Sequence, residues 1–352
     1  MFKELSGRTK SILIIILLLP LFVMDVVHYF KLPEDTVSEV KETVLFPRGA
    51  TLQQIADSLQ AHHLVQNPGR FLFWIRMFGL EKNIRAGKFS IPFGLNEAQL
   101  AKYLGRARPG NIRVTLIEGW STERICRRLS KKLHLSLTKL DSLANDKEFC
   151  RKLSVPAETL TGYLLPNTYD LPFGMTEEEV LSFLVDNTLA IFKPDSVREA
   201  MKRLNFSVHQ TLTLASIVEG EAVLDKERPI IASVYLNRLK RGMRLQADPT
   251  IQFLIPDGPR RLLYRDLQID SPYNTYRYKG LPPGPINNPG KASILAVLFS
   301  ADTRYLYFVA RGDGSHIFSK NQSEHLKAKR AFNRLRRKIA RQKKLKQQDK
   351  TE

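Results

Sequence analysis

Residues 214–222 read LASIVEGEA and place two carboxylates, Glu219 and Glu221, in an otherwise apolar stretch. The apolar spacing predicts a helix. Residues two apart on an α-helix project about 200° apart, so the two carboxylates are predicted to face different surroundings. Glu221 follows apolar residues three, four and seven positions earlier, which places it on an apolar stripe of the predicted helix.

A carboxyl group on such a stripe has a specific chemical consequence. Loss of hydration disfavours its ionised form and raises its pKa. A carboxyl that stays protonated near neutral pH can act as a general acid. Glu221 is therefore the candidate catalytic residue. The alternative is that both carboxylates are solvated or paired with Arg or Lys of a neighbouring helix.

Polar and aromatic residues follow the apolar helix in a long irregular stretch, 246–291, that is rich in proline. Directional hydrogen-bonding groups and tyrosine rings on a stiff backbone suit recognition of a sugar chain. The residues predicted to position the substrate are Asn237, Gln246, Asp248, Thr250, Tyr273 and Asn274. In the alternative interpretation, the same residues hold the irregular loops together.

The pattern of the whole chain predicts an α+β fold in several parts. Residues 44–107 alternate as strand, helix, helix, strand, helix and form a small α+β module. A mixed α+β catalytic domain is predicted over 108–325, with a helical insert at about 130–160. Two strands, 305–310 and 316–319, are predicted to form a hairpin near its end.

The N-terminal residues predict a single transmembrane helix. Basic residues dominate 1–10, and an uncharged apolar run begins within 11–30. The positive flank predicts a cytoplasmic N-terminus and an extracytoplasmic catalytic domain at the bacterial inner membrane. The polar residues 31–43 are predicted to form a linker between the helix and that domain. A cleaved signal peptide is the alternative, but no small-residue cleavage site follows the run.

Charge is concentrated at the other end of the chain. The protein has 352 residues and a formal net charge of +20, and residues 320–352 carry 13 Lys or Arg against three acidic residues. A basic helical tail is predicted over 326–352. Nucleic-acid binding is excluded by the predicted export, so the tail contacts anionic lipids or wall polymers, or is a solvated helix.

The sequence predicts no metal and no cofactor. His316 and His325 lack metal-ligand spacing and are interpreted as structural, and Trp74 and Trp120 as core residues. The chain has two cysteines, at 126 and 150, and the sequence leaves open whether they form a disulfide.

Several separate motifs, in one order along the chain, resemble the MltG (YceG-like) family of membrane-anchored endolytic murein transglycosylases. The motifs are GYLLPNTY (162–169), ASIVEGEA (215–222), ASVYLNRL (232–239), GMRLQADPT (242–250), YNTY (273–276), GLPPGPI (280–286), NPG (288–290), YFV (307–309) and GSHIF (314–318).

The resemblance implies a lyase that cuts nascent peptidoglycan strands between N-acetylmuramic acid and N-acetylglucosamine, leaves 1,6-anhydro ends and terminates strand elongation. It implies Glu221 as the catalytic residue, Glu219 as a supporting carboxylate and a LysM-like module at 44–107. Cell-wall synthases (penicillin-binding proteins) are the implied protein partners. Gly220 departs from the family, where a helix former is usual, and this predicts a looser helix. Asn167 stands where the family often has Asp.

Two other functions remain open from the sequence. The chain could be a murein-binding scaffold without activity, which would leave the glycan strands intact. It could also be a hydrolytic muramidase that uses Glu221 together with Asp248, since most glycosidases need two carboxylates. The latter would produce reducing ends rather than anhydro ends.

Overall fold

The computed structural model describes residues 40–47, 49–256, 258 and 260–348. The predicted anchor at 11–30, the segment 1–10 and most of the linker at 31–43 lie outside the described residues. Within the described part of the chain, none of the helices combines the length and the hydropathy that a membrane span requires.

The fold is mixed α+β and divides into two compact units. The first unit comprises residues up to Arg113 together with Asp170–Met175. The second comprises Val114–Tyr169 and the chain from Thr176 onward.

The first unit contains the predicted order of strand, helix, helix, strand, helix. Its elements are β1 (Lys41–Phe46), α1 (Leu52–Ala61), α2 (Pro68–Met77), β2 (Gly87–Pro92) and α3 (Glu97–Arg106). Strands β1 and β2 pair antiparallel, from Lys41 opposite Pro92 to Phe46 opposite Gly87. Thr51 and Asn96 begin α1 and α3 with capping boxes, which satisfy main-chain N–H groups at the helix starts.

The core of the first unit follows from strand alternation. Val44 and Phe46 on β1, and Phe89 and Ile91 on β2, are buried on the face that the helices cover. Trp74, interpreted as a core residue, is partly buried, and its ring stacks on Phe78 at 5.5 Å between centroids.

Two further strands and three helices follow α3 in the sequence. They are β3 (Asn111–Thr115), α4 (Thr122–Leu133), α5 (Leu137–Ala144), α6 (Lys147–Lys152) and β4 (Thr168–Pro172), with β3 and β4 forming a two-stranded sheet. Helices α5 and α6 lie within the helical insert predicted at about 130–160, and the end of α4 overlaps its start.

The remaining elements of the second unit follow in chain order. They are α7 (Glu177–Ala190), α8 (Asp195–Leu204), α9 (Val208–Glu221), α10 (Arg228–Lys240), α11 (Asp248–Gln252), α12 (Lys291–Leu298), β5 (Tyr307–Ala310), β6 (His316–Ser319) and α13 (Gln322–Gln348). Strands β5 and β6 form the predicted antiparallel hairpin. Helix α13 covers most of the predicted basic helical tail and continues to Gln348.

Helix α9 lies at the centre of the second unit, packed between α10 and α12. Eight consecutive residues of α9, from Thr211 to Val218, are buried, which explains its nearly uniform apolar character. The helix ends at Glu221, because Ala222 has an extended conformation (φ −78°, ψ 123°). This end places Glu221 at the helix C-terminus.

Asn288 ties separate segments of the second unit together. Its buried side-chain oxygen accepts hydrogen bonds from the main-chain N–H groups of Gly162 (2.9 Å) and Leu164 (3.1 Å). Its amide group donates to the carbonyl of Trp120 at 3.0 Å. The Trp120 ring is half-buried beneath the guanidinium of Arg124. The segments around Trp120 and Gly162 are therefore both held to Asn288 by hydrogen bonds.

Both cysteines are free thiols in the structure. Cys126 and Cys150 are buried, and burial raises the pKa of the first thiol to about 12 and of the second to about 11. Since the thiolate is the reactive form, both residues are inert packing groups at neutral pH.

Candidate active site

A cavity of about 530 Å³ opens in the second unit beside the end of α9. Residues from α10, α11, the loop before α11, the β5–β6 hairpin and the start of α13 line it together with Glu221. The lining residues are Glu221, Tyr235, Arg238, Gln246, Asp248, Tyr276, Tyr307, Phe308, Val309, Ala310, His316, Gln322, His325, Leu326 and Lys329.

The carboxyl group of Glu221 lies at the edge of this cavity. Burial raises its pKa to about 7, and the negative charge of Asp248 contributes in the same direction. The Tyr235 hydroxyl donates a hydrogen bond to Glu221 Oε1 at 2.9 Å and opposes the rise. The C-terminal end of a helix also disfavours a negative charge. Glu221 is thus a carboxyl group that exchanges a proton near neutral pH.

Gly220 explains how Asp248 comes close to Glu221. A Cβ atom at Gly220 would lie 2.7 Å from the Cβ of Pro249, too close for any other residue without a shift of the backbone. The absence of a side chain lets the start of α11 pack directly on the end of α9. The glycine was predicted to loosen the helix, but α9 remains regular through it.

Asp248 is held in the cavity by a tyrosine of a distant loop. The Tyr276 hydroxyl donates to Asp248 Oδ1 at 2.5 Å. Asn274 shapes that loop, because its side-chain oxygen accepts from the main-chain N–H of Tyr276 at 2.9 Å. The Asn274 amide donates to the carbonyls of Leu267 and Ile269. Asn274 is fully buried and therefore acts on the site through Tyr276.

Helix α10 supplies two site residues that the sequence analysis missed, Tyr235 and Arg238. They are three positions apart and so lie on one helix face. The Arg238 guanidinium is buried and donates to the carbonyls of Leu306 and Leu245, both at 2.6 Å. Both residues belong to the ASVYLNRL motif, and their helical spacing on either side of Asn237 was the available signal.

Glu219 points away from the cavity, as the helical geometry predicts. Its Oε1 accepts from Arg228 Nη1 at 2.9 Å, and both side chains are less than 10% exposed. Its Oε2 accepts from the main-chain N–H of Gly290 at 2.9 Å. The contacts are those of a structural carboxylate that joins α9 to the starts of α10 and α12.

The predicted substrate-positioning residues fall into two groups. Gln246 and Asp248 line the cavity with Glu221. Thr250 is buried and bonds to Ala247 and Thr275, and Asn237 donates to the carbonyls of Thr303 and Tyr305. The Tyr273 ring packs on Phe253 at 4.9 Å. Their observed contacts hold loops together, which is the alternative that the sequence left open.

Two histidines interpreted as structural also line the cavity. His316 Nδ1 lies 2.7 Å from Glu227 Oε2, and its main-chain N–H donates to the same carboxylate. The His325 ring stacks on Tyr307 at 5.1 Å between centroids. Among the residues that the structure describes, no group of three or more His, Cys, Asp or Glu is arranged to hold a metal ion.

With this geometry established, comparison with known proteins identifies the family. The model of the YceG-like family matches residues 44–331. The chain belongs to the YceG-like family. The match spans most of both units and includes every cavity-lining residue.

Relatives of this YceG-like chain include two curated proteins named endolytic murein transglycosylase. The protein from Bacillus subtilis (strain 168) is 31% identical over 318 residues, which cover 85% of this chain and 87% of the relative. The protein from Streptococcus pneumoniae (strain ATCC BAA-255 / R6) is 29% identical over 84% of this chain, which spans 59% of that longer relative.

A solved structure has the same fold. The crystal structure of a YceG-like protein from Listeria monocytogenes superimposes with a TM-score of 0.57 at 31% identity, covering 82% of this chain and 99% of that one. The mixed α+β architecture is therefore that of the YceG-like family.

Proposed function

We propose that Glu221 is the single acid–base residue with which this chain cleaves peptidoglycan. The family and the curated relatives make the chain an endolytic murein transglycosylase, a lyase that acts on peptidoglycan glycan strands. The observation that carries the residue assignment is a carboxyl group with a pKa of about 7 in a cavity lined by tyrosines and polar side chains.

The proposed reaction breaks the β-1,4 bond between N-acetylmuramic acid and N-acetylglucosamine without water. Protonated Glu221 donates its proton to the glycosidic oxygen as the bond to C1 breaks. The resulting carboxylate then takes the proton from the C6 hydroxyl of the same muramic acid, and that oxygen closes on C1. The product is a 1,6-anhydro end, and Glu221 is protonated again. A pKa near 7 suits a group that must both give and accept a proton.

Tyr235 and Asp248 set the acidity of Glu221 in this scheme. The Tyr235 hydroxyl stabilises the carboxylate that forms after proton donation, and the Asp248 charge favours the proton's return. Gln246 and Asp248 also offer polar groups to the sugar hydroxyls from the cavity wall. Tyr276 presents ring surface to the apolar faces of the sugars.

A hydrolytic muramidase is the second candidate, because Asp248 lines the same cavity as Glu221. As nucleophile or base, Asp248 would make the reaction consume water. Asp248→Asn would then abolish cleavage, whereas in the lytic scheme it only shifts the acidity of Glu221.

We expect digestion of isolated glycan strands by the purified chain to release fragments with 1,6-anhydro ends. Mass spectrometry in ¹⁸O-labelled water separates the alternatives, since an anhydro end contains no water oxygen. Reducing ends that carry ¹⁸O would favour the muramidase. Intact strands would favour the scaffold and contradict both enzymatic schemes.

We also propose that residues 11–30 anchor the protein in the bacterial inner membrane, with the catalytic domain outside. The apolar run and its basic flank support this orientation. Family resemblance supports a LysM-like module at 44–107 and penicillin-binding proteins as partners. We expect the full chain in the membrane fraction and a chain lacking residues 1–39 in the soluble fraction. Retention of the shortened chain in the membrane fraction would contradict the proposed anchor. Absence of synthases from the full chain purified in detergent would contradict the proposed partnership with penicillin-binding proteins.

A further inference from the structure

The first turns of α13 form one wall of the cavity. Gln322, His325, Leu326 and Lys329 line it, and their spacing of three, one and three residues places them on one helix face. The basic tail that begins with this helix had no role in the reaction proposed above. The structure brings its first part to the site of that reaction.

Of the cationic side chains in the cavity wall, Lys329 is the one available to a ligand. Arg238 is committed to the carbonyls of Leu306 and Leu245, and His316 to the carboxylate of Glu227. Lys329 is exposed, and within the described residues no carboxylate lies within ion-pair distance of it.

Contacts among the lining side chains join Glu221 to α10, and join α10 to β5 and α13. Tyr235 binds Glu221, and Arg238 follows Tyr235 on the same face of α10. The Arg238 guanidinium lies 5.2 Å from the centre of the Tyr307 ring, which stacks on His325. Burial, Lys329 and Arg238 lower the pKa of His325, so this ring is neutral near pH 7. The cavity wall thus contains both the carboxyl group of Glu221 and the exposed ammonium group of Lys329.

We infer that Lys329 binds a carboxylate on the lactyl-peptide arm of muramic acid, an inference that rests on the proposed function. The two sugars of a murein strand alternate, and only muramic acid carries this arm. A cation and the catalytic acid in the wall of one cavity would fix which sugar lies on which side of Glu221. Lys329 is therefore a specificity-determining residue that sets the register of the strand. The carboxylate is that of the lactyl group in stemless strands or one of the peptide stem.

Strand binding tests this inference without requiring cleavage. Full-length chain carrying Glu221→Gln is titrated with stem-bearing glycan strands, and Lys329→Gln is added in the same background. We expect Lys329→Gln to weaken binding about fivefold, as for a partly exposed charge-assisted contact. Lys327→Gln is the matched control, because it removes the same charge from an exposed position of α13 that does not line the cavity.

Modified strands identify the carboxylate. With strands whose carboxylates are converted to methylamides, Lys329→Gln and its parent should bind equally. A fivefold loss on stem-bearing strands assigns the contact there to a stem carboxylate, because their lactyl group is an amide, and a loss on stemless strands shows that the free lactyl carboxylate takes its place.

Three outcomes would overturn the inference: no loss with Lys329→Gln on unmodified strands, an equal loss on methylamidated strands, or no strand binding by the parent. Product analysis of the unsubstituted chain tests the proposed function separately. Anhydro ends together with unaltered binding by Lys329→Gln would refute the role of Lys329 alone.

Discussion

Glu221→Gln is expected to abolish strand cleavage while the fold persists. The amide keeps the size of the side chain and still accepts the hydrogen bond from Tyr235, but it has no proton to donate near neutral pH. General acid–base assistance accounts for a factor of roughly 10²–10⁴, and here one group performs both proton transfers, so the loss should reach at least that range. Release of anhydro fragments from purified strands is the measurement.

The matched control is Glu199→Gln, which makes the same chemical change at an exposed position of α8. It should leave cleavage and thermal unfolding unchanged. The Glu221→Gln chain should unfold at or above the parent's temperature, because a partly desolvated carboxyl is removed. Undiminished release of anhydro fragments by Glu221→Gln would refute the proposed mechanism.

The pH profile of the unsubstituted chain follows from the same carboxyl. Because the pKa of Glu221 is about 7, the group is protonated and active as an acid below that pH. The value of kcat/KM should therefore fall about tenfold per pH unit above pH 7. The charge of Asp248 raises this pKa, so Asp248→Asn should move the fall to lower pH. A pH profile that Asp248→Asn leaves unchanged would show that Glu221 is not the group whose titration causes the fall in kcat/KM.

The desolvation of Glu221 could be predicted from the sequence because it depends on local periodicity. The apolar residues on its helix are within seven positions, and their burial follows directly from the pattern. The surroundings of Glu221 could not be predicted in the same way. Tyr276 lies 28 positions from Asp248, and α13 begins about a hundred positions after Glu221 in the sequence. Side-chain periodicity contains no information about such distant pairings.

Gly220 is a second case in which the local sequence pattern does not reveal a tertiary contact. Helix propensity alone predicts that a glycine weakens α9. The structure shows that the position needs the smallest residue because Pro249 packs against it. The reason is a tertiary contact that brings Asp248 to the cavity. The hairpin strands and the starts of α1 and α3, by contrast, follow from local alternation and capping.

Arg228→Met is expected to produce the largest loss of stability. Arg228 is 7% exposed and donates to Glu219 at 2.9 Å and to Ser293 at 2.5 Å. Methionine leaves Glu219 as a buried carboxylate without its cation. Removing one partner of a buried pair typically costs about 3–5 kcal/mol. For a unit of this size that free energy lowers the unfolding temperature by roughly 10 °C. Thermal unfolding followed by circular dichroism measures the change.

Two further substitutions determine whether the lost pair causes this effect. Arg228 also contacts Asp225, whose side chain is 86% exposed, so Asp225→Asn removes only a solvent-screened partner and should cost less than about 1 kcal/mol. Glu219→Leu combined with Arg228→Met removes both charges and should restore part of the stability, since no unpaired carboxylate remains. If the double substitution were as unstable as the sum of the single ones, the destabilisation would come from lost packing. Because Glu219 and Glu221 share the last turn of α9, the ion pair on one face of the helix also holds the acid on the other face in place.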